Sequence, residues 1–128
     1  MENRSRKMTL LAAFGCAVAY QLAGMLLALA LPAPQSGPAL LCKVCLAAPV
    51  VEELVFRGAI QHFLQPLGRR EAIFLQAVLF AVQHGSLSGA LYALVCGLAL
   101  GWLADRTGHL WPGMLLHSVN NLVVFAAG

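Results

Sequence analysis

VVEELVFRG, residues 50–58, places two glutamates and an arginine inside a run that otherwise reads as lipid-facing helix. On insertion scales, one charged residue at the centre of a membrane helix costs about 2.5–3.5 kcal/mol. Three within one span need partners, and such residues mark a functional interior by default. Spacing supplies one partnership. Glu53 and Arg57 are i,i+4 with the glutamate first, the better order for a helical ion pair. Glu52 points about 100° further round the helix and has no cation there. It must find a partner on another helix or be protonated, which makes it a candidate proton carrier.

The rest of the chain has the same lipid-facing character. It has 128 residues, 60% hydrophobic and only 10% charged. Residues 8–31, 72–104 and 107–128 carry no Asp, Glu, Lys or Arg. Runs of that length are the mark of membrane spans. The expected fold is an all-α integral membrane domain covering 1–128. About five transmembrane helices are expected, at 8–31, 39–67, 71–84, 90–104 and 110–127, with a polar cluster in the bundle core. The loops between them are LPAPQSGP (31–38), GRRE (68–71), GSLSG (85–89) and DRTG (105–108). The opening resembles a signal peptide in its basic start, but its apolar stretch is long for one; an uncleaved first span, 8–31, is the reading adopted. The motif-bearing core is 39–127.

Six of the eight basic residues fall at the N-terminus, at 68–71 and at 105–108, while the loops at 32–38 and 85–89 carry no charge. The positive-inside rule then puts the N-terminus in the cytoplasm and, with five spans, the C-terminus outside. Trp102 and Trp111 fall at the inner interface, where an aromatic belt belongs. The net charge of +3 reports topology, and no basic and aromatic interleaving of the single-strand-binding kind is present. The bilayer is the expected partner and nucleic acid is not. The small size points to a bacterial inner membrane.

The remaining polar residues within spans are His84, His117, Asn120 and Asn121. Phe80 and His84 are i,i+4, as are His117 and Asn121, so each pair shares a helix face. Counting ~1.5 Å per residue from the inner end of each span puts Glu52 roughly 22 Å up, His84 roughly 20 Å, Asn121 roughly 16 Å, Arg57 roughly 15 Å and His117 roughly 10 Å. One polar cluster, from mid-membrane toward the outer leaflet, is the simplest account. The GSLSG turn is expected to stop below the outer surface and admit water to His84. Plainer readings suit the other residues. Asn120 reads as interhelical glue, His62 and His109 as interfacial, and Lys43 as snorkelling. Gly97 and Gly101 read as a close-packing pair. Cys42 and Cys45 read as small hydrophobes rather than a redox or metal pair.

Three motifs, Glu52-Glu53-x-x-x-Arg57, Phe80-x-x-x-His84 and His117-x-x-x-Asn121, together resemble the CPBP (Abi) family. That family includes the CAAX prenyl endopeptidases and bacterial bacteriocin-processing and immunity proteins. The resemblance implies an intramembrane endopeptidase of the glutamic type. Its substrate would be a membrane protein or a lipid-anchored peptide. Carried over, Glu52 is the general base on a water shared with His84, and His117 and Asn121 stabilise the oxyanion. Glu53 and Arg57 hold the geometry, and Phe80 packs beside the site. The expected set has no metal ligand and no cofactor.

Alternatives remain open at this point. An older reading of the family makes the Glu and His residues ligands of a divalent metal such as zinc. A non-catalytic binding or immunity protein would keep the same polar core. A small proton-coupled transporter would use the Glu and His chain as a relay, but no internal repeat is present to support one.

Overall fold

The computed structural model describes residues 2–32 and 34–128, and within them the chain is all-helical. Five helical stretches follow one another. We number them α1 (Glu2–Ala30), α2 (residues 37–67), α3 (Arg69–Ala81), α4 (Leu87–Thr107) and α5 (Trp111–Ala127). The breaks fall in the loops expected from sequence. Gly68 turns the chain at φ +125° and Gly108 closes α4 at φ +67°, both left-handed conformations that favour glycine. Gly108 N donates to Ala104 O at 2.9 Å as the cap. Ser86 caps the start of α4, its hydroxyl accepting from Gly89 N at 3.1 Å.

Polarity is inverted relative to a soluble domain. Leu11, Phe14, Leu26, Leu29, Val95, Trp111 and Val123 are exposed, whereas Glu53, Arg57, Gln61, Gln76 and His117 are buried. An apolar exterior around a polar interior suits lipid as the surrounding solvent. Two helices, α1 and α4, are long and apolar enough to cross a membrane. The thirteen residues of α3 span ~20 Å at 1.5 Å each, short of the ~30 Å hydrocarbon core. The fourth segment, expected at 90–104, is longer at both ends in the structure. The Ser86 cap starts it earlier, and it runs on through Asp105 and Arg106.

The second helix is continuous but not uniform. Its hydrogen-bond register alternates through Gly37–Cys42 (α), Lys43–Ala47 (π), Ala48–Glu52 (α), Glu53–Ile60 (π), Gln61–Leu64 (α) and Gln65–Leu67 (3₁₀). Two stripes with a strict four-residue interval are buried along it: Phe56, Ile60, Leu64 and Glu53, Arg57, Gln61. The apolar stripe meets Ala13 and Ala17 of α1, Ala72, Phe80 and Ala81 of α3, and Ala93 of α4 in one core cluster.

Backbones approach closely between α3 and α4, as small residues permit in membrane helices. A Cβ on Gly97 would stand 3.0 Å from Ala77 Cβ and 3.1 Å from its Cα. Two buried glutamines fasten the glycine face of α4, with Gln76 Nε2 of α3 donating to Gly97 O at 2.8 Å and Gln61 Nε2 of α2 to Gly101 O at 3.0 Å. Arg69 at the start of α3 pairs with Asp105 in the last turn of α4. Enlarging Gly97 would force α3 and α4 apart. Gly97→Leu is therefore expected to cost about 1–3 kcal/mol, read as a lower thermal midpoint of the detergent-solubilised protein.

Candidate active site

The two adjacent acids of α2 have different surroundings. Glu53 is completely buried. Its Oε1 accepts from Arg57 Nη1 at 2.9 Å and from His117 Nδ1 at 2.9 Å. Its Oε2 has no hydrogen-bond partner among the described residues and faces Gly113, where an added Cβ would lie 2.8 Å from it. Glycine at 113 is thus what lets α5 close over the carboxylate. The side chain of Glu52 keeps 21% exposure, and its Oε2 stands 3.5 Å from His117 Nε2. Its other oxygen, Oε1, accepts from the Tyr20 hydroxyl of α1 at 3.5 Å. His84 also lies within electrostatic reach of Glu52, with Arg57 and Glu53.

Hydrogen bonds fix the two imidazoles. A carbonyl oxygen only accepts, so the 3.1 Å contact of His84 Nδ1 with Phe80 O assigns the proton to Nδ1 and leaves Nε2 free. His117 likewise directs Nδ1 at Glu53 and Nε2 at Glu52. Phe80 is the hub that holds these groups apart and in place. The Arg57 guanidinium lies 4.5 Å from its ring centroid. Edge-to-face contacts join it to His84 at 5.0 Å, His117 at 5.9 Å and Phe56 at 5.1 Å.

Asn121 does something that spacing alone did not reveal. In the first π stretch of α2, Ala48 N donates to Lys43 O, five residues back. The following residue is Pro49, which has no N–H, so Val44 O loses the partner this register would give it. Asn121 Nδ2 donates to that oxygen at 2.9 Å. A neighbouring helix thus satisfies a carbonyl freed by proline, as the bilayer interior demands. The second hydrogen on Nδ2 is not used by this bond. Asn120 accepts a hydrogen bond from the Tyr92 hydroxyl, in line with its reading as interhelical glue.

The structure brings Glu52, Glu53, Arg57, Phe80, His84 and His117 into one cluster, with Asn121 one turn beyond His117. The depth count placed His117 about 12 Å nearer the inner surface than Glu52, yet the two touch. The cause is the α4–α5 turn, which does not sit level with the C-terminal end of α2. Leu110 Cδ1 lies 3.2 Å from the position of a Gly58 Cβ, so α5 starts part-way up α2. Two residues were missed in the sequence, Tyr20 and Gly113. Tyr20 sits three and seven residues from Ala17 and Ala13, a helical spacing that was visible but carried no charge to draw notice.

Two cavities flank the cluster. One of about 170 Å³ lies between α4 and α5, lined by Cys96, Ala99, Leu100, Leu116, His117 and Asn120. The other, about 260 Å³, lies between Arg57 and the C-terminal end of α2, with Gln61, His62, Gln65 and His109 among its lining residues. Arg57 Nε and Nη2 have no hydrogen-bond partner among the described residues.

The Asn121 bond makes a two-step prediction. Asn121→Leu leaves Val44 O unpaired and is expected to destabilise the protein by about 1–3 kcal/mol. Pro49→Ala restores a backbone donor, so the double variant should unfold at a higher temperature than Asn121→Leu alone.

A family model described as Type II CAAX prenyl endopeptidase Rce1-like matches residues 34–123. No curated protein and no solved structure matches the chain. The matched region contains the paired glutamates of α2, His84 and all of the polar contacts that α5 makes with them. The chain belongs to the Rce1-like family of CAAX-type intramembrane proteases.

Proposed function

We propose that the chain hydrolyses a peptide bond of a membrane-associated protein or lipid-anchored peptide, with Glu52 as general base. The observation that carries this reading is the asymmetry of the two acids. Glu53 is sealed, bonded to Arg57 and His117, with no room for water or substrate. Glu52 is the acid with residual exposure, and the Arg57 of its own helix is bonded to Glu53 instead. A base needs that freedom.

In this mechanism Glu52 takes a proton from a water that also donates to the free Nε2 of His84. The hydroxide attacks the substrate carbonyl. The resulting oxyanion accepts from His117 Nε2–H and from the unused N–H of Asn121. With Nδ1 already donating to Glu53, a donating Nε2 makes the His117 ring a cation, whose charge the Glu53 carboxylate offsets while Glu52 holds the proton. The proton held by Glu52 then passes to the leaving amine. Glu53 and Arg57 hold His117 and the α2 geometry, and Phe80 keeps the rings in place. The proposed orientation has the N-terminus in the cytoplasm and the C-terminus outside, in a bacterial inner membrane.

Glu52→Gln and Glu53→Gln separate the two acids in liposomes carrying candidate membrane substrates. Glu52→Gln is expected to lower kcat by about 10²–10⁴-fold with little change in thermal midpoint. Glu53→Gln should lower the midpoint as well, because it weakens a buried ion pair. Full activity in Glu52→Gln would remove Glu52 from the chemistry. A chelator is expected to leave turnover unchanged, and loss of activity restored by zinc would favour the metal-dependent alternative.

A further inference from the structure

Helix α1 lies outside the residues that the family model matches, and most of its surface is exposed. Its sequence carries no charge from 8 to 31, so it reads as a plain span. The structure gives it a more specific place. Ala13 and Ala17 are buried and Cys16 and Tyr20 partly so, which defines one face at i, i+3, i+4 and i+7. The two alanines let α1 approach α2 closely. At the end of that face, the Tyr20 ring stands edge-on to Phe56 with centroids 5.5 Å apart. Phe56 itself has no exposure and packs on Phe80. The aromatic chain fixes where the Tyr20 hydroxyl ends, and it ends at Glu52 Oε1, 3.5 Å away.

We infer that Tyr20 is a positioning residue for Glu52, an inference that rests on the peptidase reading for its effect on turnover. Each oxygen of Glu52 has its own neighbour: Tyr20 on Oε1 and His117 Nε2 on Oε2. A neighbour on each oxygen restrains the carboxylate more than one alone would, and Tyr20 is the one that remains when His117 Nε2 turns to the oxyanion. The terminal torsion is broad and soft in an unrestrained glutamate. A general base must meet its water in one geometry, and small misplacement is expensive in rate. Tyr20 touches neither water nor substrate in this account. It restrains the group that does, and it does so from a helix beyond the family's matched region.

The chain has two tyrosines, which gives the inference a test independent of proteolysis. In a Tyr92→Phe background Tyr20 is the only tyrosine, and its ultraviolet resonance Raman doublet reports whether the phenol donates a hydrogen bond. Adding Glu52→Leu, which removes the acceptor, is expected to shift the doublet, and adding Glu53→Gln to leave it in place. A doublet that ignores Glu52→Leu overturns the contact. In the assay above, Tyr20→Phe keeps the ring and its packing. It is expected to lower kcat about tenfold with KM and thermal midpoint within error of the parent. An unchanged kcat in Tyr20→Phe, where Glu52→Gln abolishes turnover, overturns the positioning role. If the parent protein itself turns over no substrate, the peptidase reading and this role in turnover both fall, while the Raman result still decides the contact.

Discussion

A carboxylate sealed from solvent inside a membrane protein has to be matched by its neighbours, and Glu53 is in that position. Arg57 matches it from the same helix and His117 from another. The remaining features follow from keeping that match. Arg57 can reach upward because Phe80 supports its guanidinium. His117 can reach Glu53 because the α4–α5 turn starts α5 part-way up α2, and because residue 113 has no side chain. Breaking one partner would leave a buried charge uncompensated, which is far more costly than never having buried it. The pair therefore acts as a constraint on three helices at once.

The same constraint explains why the acids come as neighbours. Glu53 uses its bonding capacity to hold the bundle together. Glu52, one residue earlier, lies at the edge of the assembly that Glu53 organises. The two tasks need opposite surroundings, and a single helix can supply both within one turn. A sealed acid cannot exchange protons readily, and an accessible one is a poor structural tie.

Much of this was legible in the sequence because charge is so rare there. Five helices and their loops could be placed from uncharged runs and glycine turns. The Glu53–Arg57 pair followed from i,i+4 spacing, and Gln61 would have followed from the same four-residue stripe. Other parts depend on relations between helices that spacing along one helix does not encode. The π register of α2 and the depth of the α4–α5 turn are of this kind, so the level of His117 was misjudged. Gly113 and Tyr20 are ordinary residues whose meaning comes from what faces them. Asn121 was marked by its motif, but its bond to Val44 O becomes intelligible only beside Pro49 and the widened register.

That bond also bears on the order in which the molecule comes together. A chain in which α5 has not docked already contains both glutamates, the proline and the open carbonyl of Val44. It lacks the histidine ring that joins the acids and the amide that closes the gap in α2. Helix α5 thus closes the assembly. Without it Glu53 is matched by Arg57 alone, Val44 O lacks its amide donor, and the polar cluster exists only as separate pieces.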